Sequence, residues 1–219
     1  MSHISEATVR RLSNYYRVLE EVAAEGRRMI SSHLLAEREG ITSAQVRKDL
    51  SSFGSFGRRG LGYHVEHLRD EIRALLGLDR RWRACVVGAG HIGAALLGYR
   101  GFADQGFDIV AVFDADPARI GRTVEGIAVR PVSQISAREA YEIGVIATPA
   151  RAAQEVADLL VAAGVQGILN FAPRMVRVPA GVALRTVDMT MEFESLSYAL
   201  THARRVVPRR RRAASRARS

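Results

Sequence analysis

The spacing Gly88-x-Gly90-x-x-Gly93, entered from the apolar run Ala84-Cys85-Val86-Val87 and left through Ala94-Ala95-Leu96-Leu97, forces a tight strand-to-helix turn in mid-chain. Gly88 allows the turn, Gly90 lets the backbone approach a pyrophosphate, Gly93 permits close packing of helix on strand, and the helix N-terminus faces the anion. Such a pattern needs a second mark, an acidic residue about 20 positions on at the end of the next strand. Ile109-Val110-Ala111-Val112-Phe113-Asp114 supplies it, with Asp114 twenty-one residues after Gly93. Its carboxylate would accept hydrogen bonds from ribose hydroxyls and repel a 2′-phosphate, which favours NAD and NADH over their phosphorylated forms. Gly88, Ala89, Gly90, His91, Ile92, Gly93 and Asp114 are thus the first candidates for a dinucleotide site. Asp116-Pro117 reads as the cap and first residue of the next helix.

Two further strands, 143–147 and 166–170, flank a helix over 152–163, an alternation that builds a parallel doubly wound sheet. Ligands bind beyond the carboxyl ends of such strands, where Thr148-Pro149 and Asn170-Phe171-Ala172-Pro173 fall. These six should border the nicotinamide, or serve equally well as strand-ending turns. Tyr99, at the far end of the fingerprint helix, reads as core. A last strand over 182–187 leads to Asp188 and a helix whose Met189, Phe193, Leu196 and Leu200 repeat at near-heptad spacing. That stripe docks either on its own sheet domain or on a second subunit.

An oxidoreductase of this fold normally adds a substrate domain after the cofactor domain. Here the spare residues lie in front. The 219 residues, 47% hydrophobic, suit two small domains. The +9 net charge is concentrated at the end, where 204–219 holds eight arginines and no acid, and this segment reads as disordered. No apolar run reaches the ~18 residues of a membrane span and the first residues are polar, so a cytoplasmic protein is expected. The single Cys85 excludes an internal disulfide and a multi-cysteine metal site, and it reads as buried strand filler; no metal is expected.

In front, Val9, Leu12, Tyr16, Leu19 and Ala23 share one face of a helix over 7–25. Ser31-Ser32 starts a second helix that carries Leu34-Leu35 and stops at Gly40. Thr42-Ser43-Ala44-Gln45 opens a third as a capping box. Two helices joined by a short glycine-containing turn form a helix-turn-helix, whose second helix enters the DNA major groove. Val46, Leu50 and Phe53 face inward, leaving Gln45, Arg47, Lys48, Ser51 and Ser52 to offer donors to bases and phosphates. The glycine-rich run Phe53 to Tyr63 predicts a hairpin wing with Arg58-Arg59 near its tip, suited to the minor groove. Val65, Leu68, Ile72 and Leu75 mark a closing helix, and Leu78-Asp79-Arg80-Arg81-Trp82 a linker.

With both halves read, the chain resembles the Rex family of bacterial redox-sensing transcriptional repressors from about Val9 to Leu200. The most specific segment is Gln45-Val46-Arg47-Lys48-Asp49-Leu50-Ser51-Ser52-Phe53-Gly54-Ser55-Phe56-Gly57-Arg58-Arg59-Gly60-Leu61-Gly62-Tyr63. The fingerprint glycines, Thr148-Pro149 and Ile168 to Pro173 also match. The resemblance implies a homodimer that exchanges its C-terminal helix, binds palindromic operator DNA, and is released by NADH while NAD⁺ permits repression. It implies that Asp188 of one subunit, Arg17 and Tyr99 form a switch that reports cofactor state, which moves Tyr99 from core to pocket. Family members carry Phe near the nicotinamide where this chain has Met189, and the arginine tail lies outside the pattern.

The expected architecture is α/β: a winged helix-turn-helix domain over 1–82, a Rossmann domain over 83–188, a swapped dimer helix over 189–203 and a tail over 204–219. The competing function is a small NAD-dependent oxidoreductase with an N-terminal helical module. Against it, the only histidine after His91 is His202, which leaves no obvious proton-transfer group.

Overall fold

In the computed structural model the described residues are 4–54, 56–58 and 61–203, without the side chains of Arg58 and Ala203; the chain divides into two compact units. One unit runs to Arg81 and takes in Asp104–Gly106; the other begins at Trp82.

In the first unit, α1 (Glu6–Ala24) starts at Ser5, whose hydroxyl accepts from the Thr8 N–H. It buries Leu12, Tyr15, Tyr16, Val18, Leu19 and Val22. The expected stripe was misplaced at one end: Ala23 packs against the core, but Val9 is 41% exposed. The buried arc centres on Leu19, and Val9 lies roughly 80° from it around the helix. α2 (Ser32–Glu39) is capped by the Ser31 hydroxyl and stopped by left-handed Gly40. α3 (Ser43–Ser51) follows after two residues, capped by Thr42. A strand β1 (Met29–Ile30), too short to leave a periodic signal, pairs with β3 (Gly62–His64), which also pairs with β2 (Gly57–Arg58). The hairpin β2–β3 is the expected wing.

α4 (Val65–Leu75) closes the unit with Val65, Leu68 and Ile72 inside. Leu75, expected inward, is 44% exposed. The helix ends in a Schellman pattern, Gly77 N–H to the Ala74 carbonyl and Leu78 N–H to the Arg73 carbonyl, which folds Leu76 and Leu78 against the core instead. Leu78 is therefore core and not linker, and Trp82 is the first residue of a strand.

The second unit carries a seven-stranded sheet. Its strands are β4 (Trp82–Val87), β5 (Phe107–Asp114), β6 (Thr123–Val124), β7 (Ile127–Pro131), β8 (Ile143–Ile146), β9 (Gly167–Asn170) and β10 (Ala183–Thr186). The order β10-β9-β8-β4-β5-β7-β6 is parallel except for β6. Chain direction switches beside β4, with β5 on one side and β8 on the other, so the ligand crevice of this architecture opens at the ends of β4 and β8. α5 (His91–Gly98) and the short α6 (Gly101–Asp104) link β4 to β5, and α7 (Ala153–Ala162) links β8 to β9.

The expected helix after Asp114 is absent. Asp116 caps a single turn, its carboxylate accepting from the Ala118 N–H, and Gly121 at φ 82° turns the chain into the β6–β7 hairpin. α7 covers one face of the sheet, packing on Cys85, Phe113, Ile146 and Ile168. On the other face Ala84, Phe107, Ile109, Ile143, Val145 and Leu169, with Leu96 and Phe102, line an apolar groove of about 320 Å³. The last helix, α8 (Met189–Ala203), leaves Met189, Phe193, Leu196 and Leu200 56–68% exposed. Docking of this stripe on its own sheet is thereby corrected: nothing among the described residues covers it.

Candidate dinucleotide and nucleic-acid sites

The crevice is built by main chain before side chain. Gly88 has φ 105°, and a Cβ there would strike the Ala147 carbonyl at the end of β8; a Cβ on Gly93 would strike the Gly88 carbonyl. Both contacts are how β4, α5 and β8 come close enough to form one site. Gly90 opens α5 with no side chain over the first amides, and a Cβ there would meet nothing closer than Arg119 Nη1 at 3.5 Å. Those amides lack intrahelical acceptors and carry the positive end of the helix.

Asp114 ends β5 at 7% exposure. Its Oδ2 accepts from the Ala89 N–H at 2.7 Å and from Arg119 Nη1 at 3.2 Å, and its Oδ1 from the Asp116 N–H at 2.8 Å. Burial pushes its pKa up, but the two amides and the guanidinium outweigh burial and hold the carboxyl below its ordinary value. The acid is thus ionised and latched to the fingerprint turn itself.

Beyond β8, the Thr148 hydroxyl oxygen is buried with no hydrogen-bond partner among the described residues, while the neighbouring Pro149 is exposed. An orphaned buried hydroxyl beside the glycine turn is the mark of a site that takes a polar ligand. Asn170 behaves differently. It is fully buried, its Nδ2 donating to the Ala172 and Arg174 carbonyls and its Oδ1 accepting from the Ala172 N–H. Its amide holds the loop of Phe171, Ala172 and Pro173 in place at the carboxyl end of β9, the turn-forming role that the sequence also allowed.

His91 and Ile92 are exposed on the first turn of α5. Tyr99, 62% exposed and edge-on to Phe102, is not a core residue. Asp188 caps α8, its Oδ1 accepting from the Thr190 and Met191 N–H groups, and Met189 is exposed. Arg17 is exposed on α1.

In the first unit, α3 turns Arg47, Lys48, Ser51 and Ser52 outward, with Gln45 half-buried. The expected donors are fewer than the residue types suggest, because Ser51 and Ser52 give their hydroxyl protons to the Lys48 carbonyl at 2.9 and 3.0 Å. Arg47 spends one N–H on the Ser32 hydroxyl. The capping box is half-formed: the Thr42 hydroxyl accepts from the Gln45 N–H, but the Gln45 side chain donates to Asp49 Oδ1 at 2.8 Å. The side chain of Arg58, together with Arg59 and the tail 204–219, lies outside the described residues.

Asp49 is the functional-helix residue that sequence reading missed. It is 3% exposed and accepts from Arg11 Nε at 2.6 Å, Arg11 Nη2 at 2.8 Å, the Tyr15 hydroxyl at 2.8 Å and Gln45. Burial raises its pKa, but these donors outweigh burial and bring it below the ordinary carboxylate value. The signal was available: at 100° per residue Asp49 lies about 40° beyond Phe53 and about 60° from Val46, on the flank of the inward arc. Among the described residues no cluster of His, Cys, Asp or Glu could hold a metal ion, and no helix is long and apolar enough to cross a membrane.

Comparison with known proteins follows the same division. Residues 3–51 match the family described as putative DNA-binding protein N-terminus, and residues 79–174 match the CoA binding domain. The redox-sensing transcriptional repressor Rex of Syntrophomonas wolfei is 48% identical over 200 residues, covering 90% of this chain and 95% of that protein. Its namesake in Thermus thermophilus is 46% identical over 199 residues, covering 90% and 94%. Among solved structures, RSP in complex with β-NAD⁺ and operator DNA matches with a TM-score of 0.89 at 36% identity, over 93% of this chain and 95% of that one. RSP in complex with β-NADH matches at 0.84 and 35%, over 93% and 97%. Sequence identity of this extent, on a winged helix joined to a Rossmann sheet, places the chain in a family of regulators and not of oxidoreductases: it belongs to the Rex family of redox-sensing transcriptional repressors.

Proposed function

We propose that this chain represses transcription by binding a palindromic operator as a homodimer, and that NADH lowers its DNA affinity while NAD⁺ permits binding. The observation that carries the reading is the match over 93% of the chain to a repressor solved with both NAD⁺ and operator DNA. The crevice fits the cofactor on its own terms. The amides from Gly90 onward suit the pyrophosphate, Asp114 the ribose hydroxyls, and the orphaned Thr148 hydroxyl a polar edge of the nicotinamide. Pro149 and Phe171 to Pro173 complete the wall. What the group supplies is a ring that is cationic when oxidised and neutral when reduced. A site that binds the two forms with different strength in two shapes of a dimer converts that difference into DNA affinity.

The exposed stripe of α8 supports the dimer. Burying four large apolar side chains stabilises by roughly 1.5–3 kcal/mol each, and the described residues of one chain leave them exposed. The apolar groove on the uncovered sheet face is a surface of matching chemistry. In this assembly Asp188 of one protomer joins Arg17 and Tyr99 as the element that senses the domain angle, and residues 1–82, 83–188 and 189–203 act as reader, sensor and coupler. Two recognition helices about 34 Å apart would fit successive major grooves, and rotation of the protomers would spoil that spacing.

The test is the affinity of the full chain for its operator duplex, followed by fluorescence anisotropy with NADH, NAD⁺, NADPH or no nucleotide. NADH is expected to weaken binding about ten-fold or more, with NAD⁺ and NADPH leaving it near the nucleotide-free value. Arg47→Ala should abolish specific binding and leave NADH affinity intact. If NADH leaves DNA affinity unchanged, the reading is wrong.

A further inference from the structure

Asp49 accepts four hydrogen bonds with its two oxygens. Oδ2 takes Arg11 Nε and the Tyr15 hydroxyl, and Oδ1 takes Arg11 Nη2 and Gln45 Nε2. A carboxylate has about four lone-pair sites, so it has no capacity left for another donor. Three of the four donors come from α1 side chains, which pin Asp49 and give Gln45 a fixed acceptor four residues away on its own helix. An ionised carboxylate only accepts, so the end of the Gln45 amide that faces it must be the nitrogen. The amide oxygen therefore points away from Asp49, and Nε2 keeps one N–H.

Gln45 is the third residue of α3, in the N-terminal turn that reaches base edges in a helix-turn-helix. A glutamine whose oxygen and remaining N–H are both available matches the major-groove edge of adenine, which offers the N6 amino donor and the N7 acceptor. Guanine puts the O6 acceptor where adenine has its donor, so two oxygens would face each other. We propose that Gln45 is a specificity-determining residue that selects adenine in each operator half-site, and that Asp49 is the positioning residue that sets the orientation of its amide. The inference rests on the reading of α3 as the helix in the major groove.

The experiment selects duplexes from a random-sequence pool with the full chain in its wild-type form and as Gln45→Ala and Asp49→Asn. Wild type is expected to retain adenine at one position per half-site by about ten- to a hundred-fold over guanine. Replacing that adenine by purine riboside, which lacks the 6-amino group, should remove the preference. Gln45→Ala, which leaves the buried carboxylate and its α1 partners in place, should flatten that one position while the remaining bases stay selected. Asp49→Asn can present its own amide nitrogen to the Gln45 oxygen, letting the glutamine turn its N–H₂ toward the DNA, so the same position should drift to guanine. A merely structural role for Asp49 would lower affinity at every position alike. The proposal is overturned if Gln45→Ala keeps the full wild-type preference at every position, or if purine riboside is accepted as well as adenine. If wild type selects no sequence at all, the DNA-binding reading itself fails, and this inference with it.

Discussion

Asp49 shows what a single residue does for the first unit. Taking a carboxylate out of water costs several kcal/mol, and removing one partner of a buried pair costs about 3–5 kcal/mol because a charge is left uncompensated. Here Arg11, Tyr15 and Gln45 offset that cost, which ties α3 to α1. Because the folded pKa lies below the ordinary value near 3.8, the carboxylate's contribution to stability is fully present above that value and is lost as pH falls below it. Asp49→Asn should therefore destabilise the protein by about 3 kcal/mol at neutral pH, and the gap to wild type should begin to narrow as pH falls below 3.8. Denaturant unfolding at pH 7 and pH 3 checks this; a gap independent of pH would mean that the charge carries none of the stability. Cys85 is the opposite case, a thiol whose burial pushes its pKa up to about 12, so it acts as filler in β4 and not as a redox group.

At the scale of elements, sequence reading succeeded where the signal was local. Ser31, Gly40 and Thr42 cap and stop helices as their side chains dictate, and Asp114 follows from its distance to Gly93 at a strand end. It failed where an element's fate is set from outside. β1 has two residues and exists because β3 pairs with it. The turn after Asp116 stops because Gly121 leads into a hairpin. α8 leaves its apolar stripe exposed, and the partner proposed for it is a second copy of the chain. Phe193→Glu places a charge in the middle of its apolar stripe, and analytical ultracentrifugation should then show monomer where wild type sediments as dimer. A variant that stays dimeric would remove α8 from the interface.

For the whole molecule, fold class and both candidate sites could be read because each rests on residues close in sequence, the glycine turn for one and the Gln45 to Tyr63 run for the other. The proposed coupling between them could not, since it would depend on contacts beyond either run of sequence. Coupling is reciprocal: whatever factor NADH takes from operator affinity, the operator must take from NADH affinity. The decisive measurement is the Kd for NADH of the full-length protein, read by nucleotide fluorescence with and without saturating operator duplex. The account predicts that operator weakens NADH binding by the same factor, about ten-fold or more, by which NADH weakens operator binding. Equal NADH affinity in the two conditions would contradict it.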